Sequence, residues 1–380
     1  MRWFRWFVLA FLPALAAAAP PMPLVQVVDF GLPPLEYPSY YGDLDRARLQ
    51  VFCGRYRTAL ATIWRSPERP VEISLLEAEA LAHLGRRDLA LQRLEAGPLA
   101  GEARAALLRS LIRRELGQLE AAADELRTLI QKQPDLLIAR LELALTLEDA
   151  GRLDEALAEY RWFVEAPQNF LTRLDDEADP LLDSAENLTT VARALDRWAT
   201  LTGAFQKDES LHNRLLNAFV RVYDQIDRRY WPARVAAAEY WLWHDNSRQA
   251  VEELKAASAI NPNAPRIHEL LGRIAVESFQ FELAESAVRA LRWVDPLSVR
   301  ADLLEARLLL ASRRPLAAEA PLRRVLRLQP RNITALGLLA ACNALRLREH
   351  EAAAILQEVD QIDPDNATAY FEVAEQLGAM

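Results

Sequence analysis

Four prolines, Pro262, Pro296, Pro330 and Pro364, follow one another at intervals of 34 residues. Each has an apolar residue two positions before it: Ile260, Val294, Leu328 and Ile362. Proline has no N–H and cannot continue a helix, so each one ends a helix and opens a turn. A period of this length holds a helix–turn–helix unit. Such a unit cannot bury its own apolar face, so units must stack on one another. The period therefore predicts an all-α solenoid. The composition can supply its core, with 51% hydrophobic and 26% charged residues, and it excludes a mainly disordered chain.

Two columns of small residues share the period. Ala238, Gly272, Ala306, Ala340 and Ala374 form one, and Ala250, Ala284, Ala318 and Ala352 the other. Helices approach to about 8–10 Å only where side chains are small. In the unit from Pro265, His268, Leu271, Gly272 and Ala275 are followed by Ala284, Val288, Leu291 and Pro296. This pattern resembles the tetratricopeptide-repeat family, of an exported bacterial type. The resemblance implies a right-handed superhelix whose first helices line a concave face. Weaker copies begin at Gly54, Gly85, Gly117 and Gly151, each a helix-ending glycine followed by an alanine five residues on. Units are expected to start near Asp43, Val71, Ala103, Leu137, Trp231, Pro265, Val299 and Ile333, with a further helix from Ala367.

The chain divides into five segments. Residues 1–18 read as a signal peptide: Arg2 and Arg5, an apolar run, then a cleavage site after Ala18. Residues 19–42 read as a Pro-rich linker, since Pro20, Pro21, Pro23, Pro33, Pro34 and Pro38 disfavour regular structure. Residues 43–167 carry the N-terminal units. Residues 168–230 are expected to hold a degenerate helical pair behind an acidic loop. There, Asp183 and Glu186 suggest a cap for a helix through Trp198, and a second helix runs from about Glu209 to Arg229. A hinge between Ala166 and Pro180 is the alternative. Residues 231–380 carry the C-terminal units and end in a lone helix. That helix is read either as a cap or as the start of a unit completed beyond Met380. The expected location is periplasmic or secreted, with no stable membrane insertion after signal removal.

Motifs for chemistry are absent. His268-Glu269 lacks a second histidine four residues on, and there is no nucleophile elbow or phosphate loop. No catalytic, cofactor or metal residue is assigned. Cys53 and Cys342 read as small buried hydrophobes. Asp175, Asp176, Glu177 and Asp179 lack the glycine and distal glutamate of a calcium loop, and read as a solvated acidic loop. A net charge of −9 argues against nucleic acid as a partner.

What remains is a binding surface. The groove positions implied by the resemblance include Glu239, Trp243, Arg266, Glu269, Arg273, Arg300 and Arg307. The four arginines would form a rectangle able to fork a peptide carboxylate, with Trp243 as an apolar anchor. Glu239, Glu269 and Glu277 would oppose this by neutralising them. The paired Asn and Lys of the family's chaperone-binding members are not found. The expected function is a non-catalytic exported scaffold that binds a protein or peptide in its groove. One alternative is an array preceding a metallopeptidase-like domain beyond residue 380; the other is a cell-envelope assembly adaptor.

Overall fold

The structure, a computed structural model, describes residues 35–38, 40–67, 70–364 and 367–378. The signal peptide expected at 1–18 and most of the linker at 19–42 lie outside the described residues. The described residues contain twenty α-helices and no strand. They pair in chain order: α1 (Asp43–Phe52) with α2 (Tyr56–Arg65), α3 (Val71–His83) with α4 (Arg87–Glu95), α5 (Ala103–Glu115) with α6 (Leu119–Lys132), and α7 (Leu137–Asp149) with α8 (Leu153–Val164). After the short α9 (Phe170–Arg173), α10 (Ala185–Thr202) pairs with α11 (Ser210–Arg221). Then α12 (Trp231–Trp243) pairs with α13 (Ser247–Ile260), α14 (Pro265–Glu277) with α15 (Phe281–Val294), α16 (Val299–Ala311) with α17 (Pro315–Leu328), and α18 (Ile333–Leu345) with α19 (Glu349–Ile362). A single helix, α20 (Thr368–Gly378), follows.

Local chemistry places these helices. Pro265 and Pro315 occupy first positions, where a missing N–H costs nothing. Ser298 and Asn332 accept hydrogen bonds from Ala301 and Ala335 and cap α16 and α18. The small columns lie where helices meet: Ala238, Ala306 and Ala340 are fully buried. A Cβ on Gly272 would come within 2.3 Å of Leu304. Ala374 on α20 is exposed.

The segment 168–230 is packed rather than loose. One apolar core runs from Ala123 to Tyr240 and includes Tyr160, Phe163, Phe170, Leu195 and Phe219. The cap of α10 is Ser184, which accepts from the Asn187 N–H, and not Asp183. The second helix stops at Arg221 and widens into a π-turn through Ile226. In the acidic loop Asp175, Asp176 and Glu177 are exposed, as the solvated reading expects, and only Asp179 departs from it. Asp179 is buried and takes both ends of a bidentate Arg173 contact at 2.6 and 2.8 Å. Burial opposes its charge, but the Arg173 hydrogen bonds prevail and hold its carboxyl below the usual range. Arg214 reaches Asp175 at 2.6 Å, and Arg221 donates to the Leu182 carbonyl.

The superhelix closes on itself. The turn inside each early pair lies on the turn after a later pair: Gly54 meets Asn261, Gly85 meets Asp295, Gly117 meets Gln329 and Gly151 meets Asp363. The order is parallel, so units six to nine form a second superhelical turn laid in register on units one to four. Hydrogen bonds cross this seam. Trp231 and Asn261 both donate to the Phe52 carbonyl, and Asn263 donates to the Gly54 carbonyl. Arg87 pairs with Asp295 at 2.6 Å, and Gln329 donates to the Glu115 carbonyl. Val294 joins the apolar core of the first turn.

The four seam glycines sit at φ +71 to +75°. A Cβ would approach Asn261 to 2.0 Å, Asp295 to 2.1 Å, Gln329 to 3.0 Å and Asp363 to 2.8 Å. Glycine is required there by backbone conformation and by contact together. The matching positions of the second turn are Asp245, Phe279, Arg313 and Leu347, all at positive φ. Among the described residues, no further superhelical turn lies on their edge.

Candidate functional site: the concave face

Of the expected groove residues, the structure links Glu239, Arg266, Glu269 and Arg300 by ion pairs across the first helices α12, α14 and α16, while Trp243, Arg273 and Arg307 meet other side chains. Each of the four arginines meets a carboxylate. Arg266 on α14 donates to Glu239 on α12 at 2.5 Å and to Glu269 at 2.8 Å. Arg300 on α16 reaches Glu269 at 2.5 Å. Arg307 pairs with Glu372 of α20. Arg273 makes only a loose contact with Glu277, at 3.9 Å. The rectangle of arginines is therefore a compensated lattice. The glutamates take the forks that a ligand carboxylate would need.

Burial disfavours the charge on Glu269, but the flanking Arg266 and Arg300 guanidiniums outweigh it and hold its carboxyl well below the usual range. Glu239 is held low by Arg266 and Arg193 against the same opposing burial. Breaking one partner of such a group leaves an uncompensated charge, which costs more than the pair contributes. Glu372 was not among the expected groove residues. It lies on the lone helix, two first helices away from Arg307, and only the curvature brings them together. Glu375, on the same helix, is pushed upward by burial and by neighbouring Glu372.

The groove groups open to solvent are fewer than the sequence suggested. Arg273 and Arg300 each have side chains 40% exposed. Trp243, at the end of α12, is 61% exposed, and Arg197 of α10 stands 5.8 Å from its ring centre. Its neighbours are turned inward, with Tyr240 buried and Trp241 half-buried in the core. Beside them, α10 presents a buried carboxyl. Burial raises Asp196 to about 7, and its Oδ1 has no hydrogen-bond partner.

Among the described residues, no group of three or more His, Cys, Asp or Glu side chains is arranged to hold a metal ion. Cys53 and Cys342 are buried free thiols, and burial pushes the Cys342 thiol up to about 12. His268 is buried and bonded to the Pro262 carbonyl at 2.7 Å, so it belongs to the helix packing. No described helix is long and apolar enough to cross a membrane.

Comparison with known proteins matches the tetratricopeptide-repeat family at residues 107–169 and 303–367. No curated protein matches. Among solved structures, the chain is similar to a tetratricopeptide repeat protein from Parabacteroides merdae. That match has 13% identity over 72% of this chain and 98% of that one, with a TM-score of 0.44. It is also similar to yeast Tom70, at 13% identity over 89% and 81%, with a TM-score of 0.41. Human IFIT1, in a dimer with m7Gppp-AAAA, matches at 15% identity over 84% and 80%, with a TM-score of 0.43. The two family matches fall one on each superhelical turn, and paired helices repeat through both. The two matched regions, about a third of the chain, are tetratricopeptide repeats.

Proposed function

We propose that the protein is an exported, non-catalytic scaffold that holds a segment of another protein against its concave face. The family supports protein or peptide binding as the general role. Export rests on the basic, apolar and small-residue order of residues 1–18. The contact surface is centred on Trp243, Arg273 and Arg300. The observation that carries this is the contrast within one wall. Arg266, Glu269 and Arg307 are committed to one another or to Glu372, while Arg273 has only a 3.9 Å contact and Trp243 stands open. A partner carboxylate can reach Arg273 without dismantling the lattice, in which Arg300 is held by Glu269 at 2.5 Å. An apolar partner side chain can cover Trp243, and Trp and Arg are the residue types that dominate binding energy.

The test places a photo-crosslinking side chain at Glu277, beside Arg273, and another at Glu285 on the second helix, in the native cell fraction. The reading expects one defined protein adduct from Glu277 and none from Glu285. It expects the adduct to vanish in Arg273→Glu, with helical content unchanged. Adduct formation that survives this charge reversal removes the groove assignment. The intact mass of the protein in that fraction tests export: a mass that begins at Ala19 supports it.

A further inference from the structure

The curvature that brings Glu372 to Arg307 also turns α20 onto the concave side of α18. In units seven to nine, each first helix rests more on the second helix before it than on the first: α14 on α13, α16 on α15 and α18 on α17. In α20 this is reversed, for it lies along α18 and barely touches α19. The surface it covers suits close approach. Gly337 and Ala341 stand two repeats on from Glu269 and Arg273, and both are buried. A Cβ on Gly337 would come within 2.6 Å of the Ala369 Cα, so the two helices meet backbone to backbone. Ala369 joins the core of Ile333 and Leu336, and Val373 packs on the core that also takes Leu303.

The sequence accounts for this placement. Leu270, Leu304 and Leu338 form one column of the repeat, and Glu372 continues it. Ile274, Leu308 and Cys342 form another, and Gln376 continues that. All six apolar side chains are buried. A carboxylate cannot take the buried place of a leucine without a partner. On the concave side Glu372 finds one in Arg307. Glu375, one turn along, lies where Arg273 and Glu277 of α14 act on its charge. The attachment is polar and incomplete. Glu372 is buried, yet its Oε2 has no hydrogen-bond partner among the described residues, and Phe371 is 68% exposed. A helix held in this way gives up less apolar contact on leaving than the helices of the stack would.

We propose that the concave face of α16 and α18 is a receptor for an acidic helix of a partner protein, and that α20 occupies it as an intrachain stand-in. The occupant shows the chemistry of the ligand. A small residue lets the backbones touch, and acidic residues three and six positions on meet Arg307 and face Arg273. This rests on the reading of the concave face as a partner surface, and it names the partner segment. Arg273 serves both, so the partner helix and α20 exclude each other. The receptor reaches full affinity only where α20 has left, because apparent affinity falls with the fraction of open chains.

The test adds a fluorescein-labelled peptide of residues 367–378 to the full chain and reads its anisotropy. Glu372→Arg with Val373→Asp should release α20 while leaving α14, α16 and α18 unchanged. Spin labels on Phe371→Cys and Glu285→Cys, both exposed positions, report release as a narrow distance that becomes broad. The released chain should bind the peptide about tenfold or more tighter than the native chain does. Arg307→Glu added to the released chain should abolish that gain, as should Glu372→Arg in the peptide. In the native cell fraction, the Glu277 adduct should increase in the released chain. A distance that stays narrow, equal binding by native and released chains, or a gain that survives Arg307→Glu would each overturn the proposal. So would a released chain that binds no peptide; a Glu277 adduct in that case leaves the concave face a partner surface without a helix receptor. Peptide binding with no Glu277 adduct would assign the receptor to α20 alone and overturn the partner helix.

Discussion

Asn263 donates its carboxamide N–H to the carbonyl of Gly54 at 2.9 Å, across 209 residues of chain. Both groups are buried, and the bond ties the first superhelical turn to the second. Replacing Asn263 by alanine leaves the carbonyl without this donor. A buried polar group left unsatisfied costs about 1–3 kcal/mol. Urea unfolding should show that loss, and amide exchange should rise in the Gly54 turn before the rest of the helix pair. Unchanged exchange there would mean that the other seam contacts suffice.

Gly85 and Phe279 occupy the same place in their units, and substitutions there should have opposite signs. Gly85→Ala adds left-handed strain of about 1–2 kcal/mol, and a Cβ only 2.1 Å from the Asp295 carboxylate, which must move off Arg87. Phe279→Gly removes that strain at an exposed position and should stabilise by up to about 1 kcal/mol. Gly97→Ala is the control, since its φ is +59° with nothing within 4 Å. Thermal melts of the three variants should rank Gly85→Ala lowest and Phe279→Gly highest.

Asp196 makes the molecule less stable at alkaline pH. Its carboxyl is raised to about 7 by burial, so the folded state holds the proton more tightly than the unfolded chain. The penalty of ionising it is fully present above about pH 7 and disappears as the pH falls through the ordinary carboxylate range. Asp196→Asn should therefore stabilise at pH 8 by at most about 4 kcal/mol. The advantage should fade by about pH 4. Stability curves that stay parallel at all pH values would refute this.

His268 works in the other direction. Burial lowers it to about 4, against the hydrogen bond to Pro262, which favours the proton. The unfolded chain takes up that proton near the ordinary pH of about 6.5. The stability this group contributes is present above that value and is lost as the pH falls toward 4. The loss should amount to about 3 kcal/mol at most. His268→Gln should flatten the acid limb of the stability curve relative to the native protein. Coincident limbs would show that the imidazole takes its proton without cost.

The sequence showed the helices better than their arrangement. Proline at 34-residue intervals and small-residue columns mark where helices end and touch, because both act through local backbone geometry or immediate neighbours. The glycines at 54, 85, 117 and 151 were legible as helix ends. Their second role, under Asn261, Asp295, Gln329 and Asp363, was not. That contact depends on superhelical pitch, which sums small rotations over about six units and leaves no pattern within any one of them. The groove arginines were placed by register alone. Register could not tell that Glu372 would reach Arg307 from a helix beyond the intervening pair. Trp243 stood out in an aromatic run, but only packing separates it from Tyr240 and Trp241.

The seam also limits how such a chain can change in length. In an open array, one repeat can be gained or lost with little effect on the rest. Here, each of the four seam glycines faces a polar side chain of the second turn at a fixed count of units. Inserting one repeat between Gly151 and Asn261 would slide every pairing by a whole unit. Gly85 would then face the Asn261 turn, and Gly54 would lie under the inserted one. Duplication at either end of the chain leaves the pairs intact. Repeat number in the middle is therefore fixed by contact, as a gear tooth is fixed by its mate, while the ends remain free to grow.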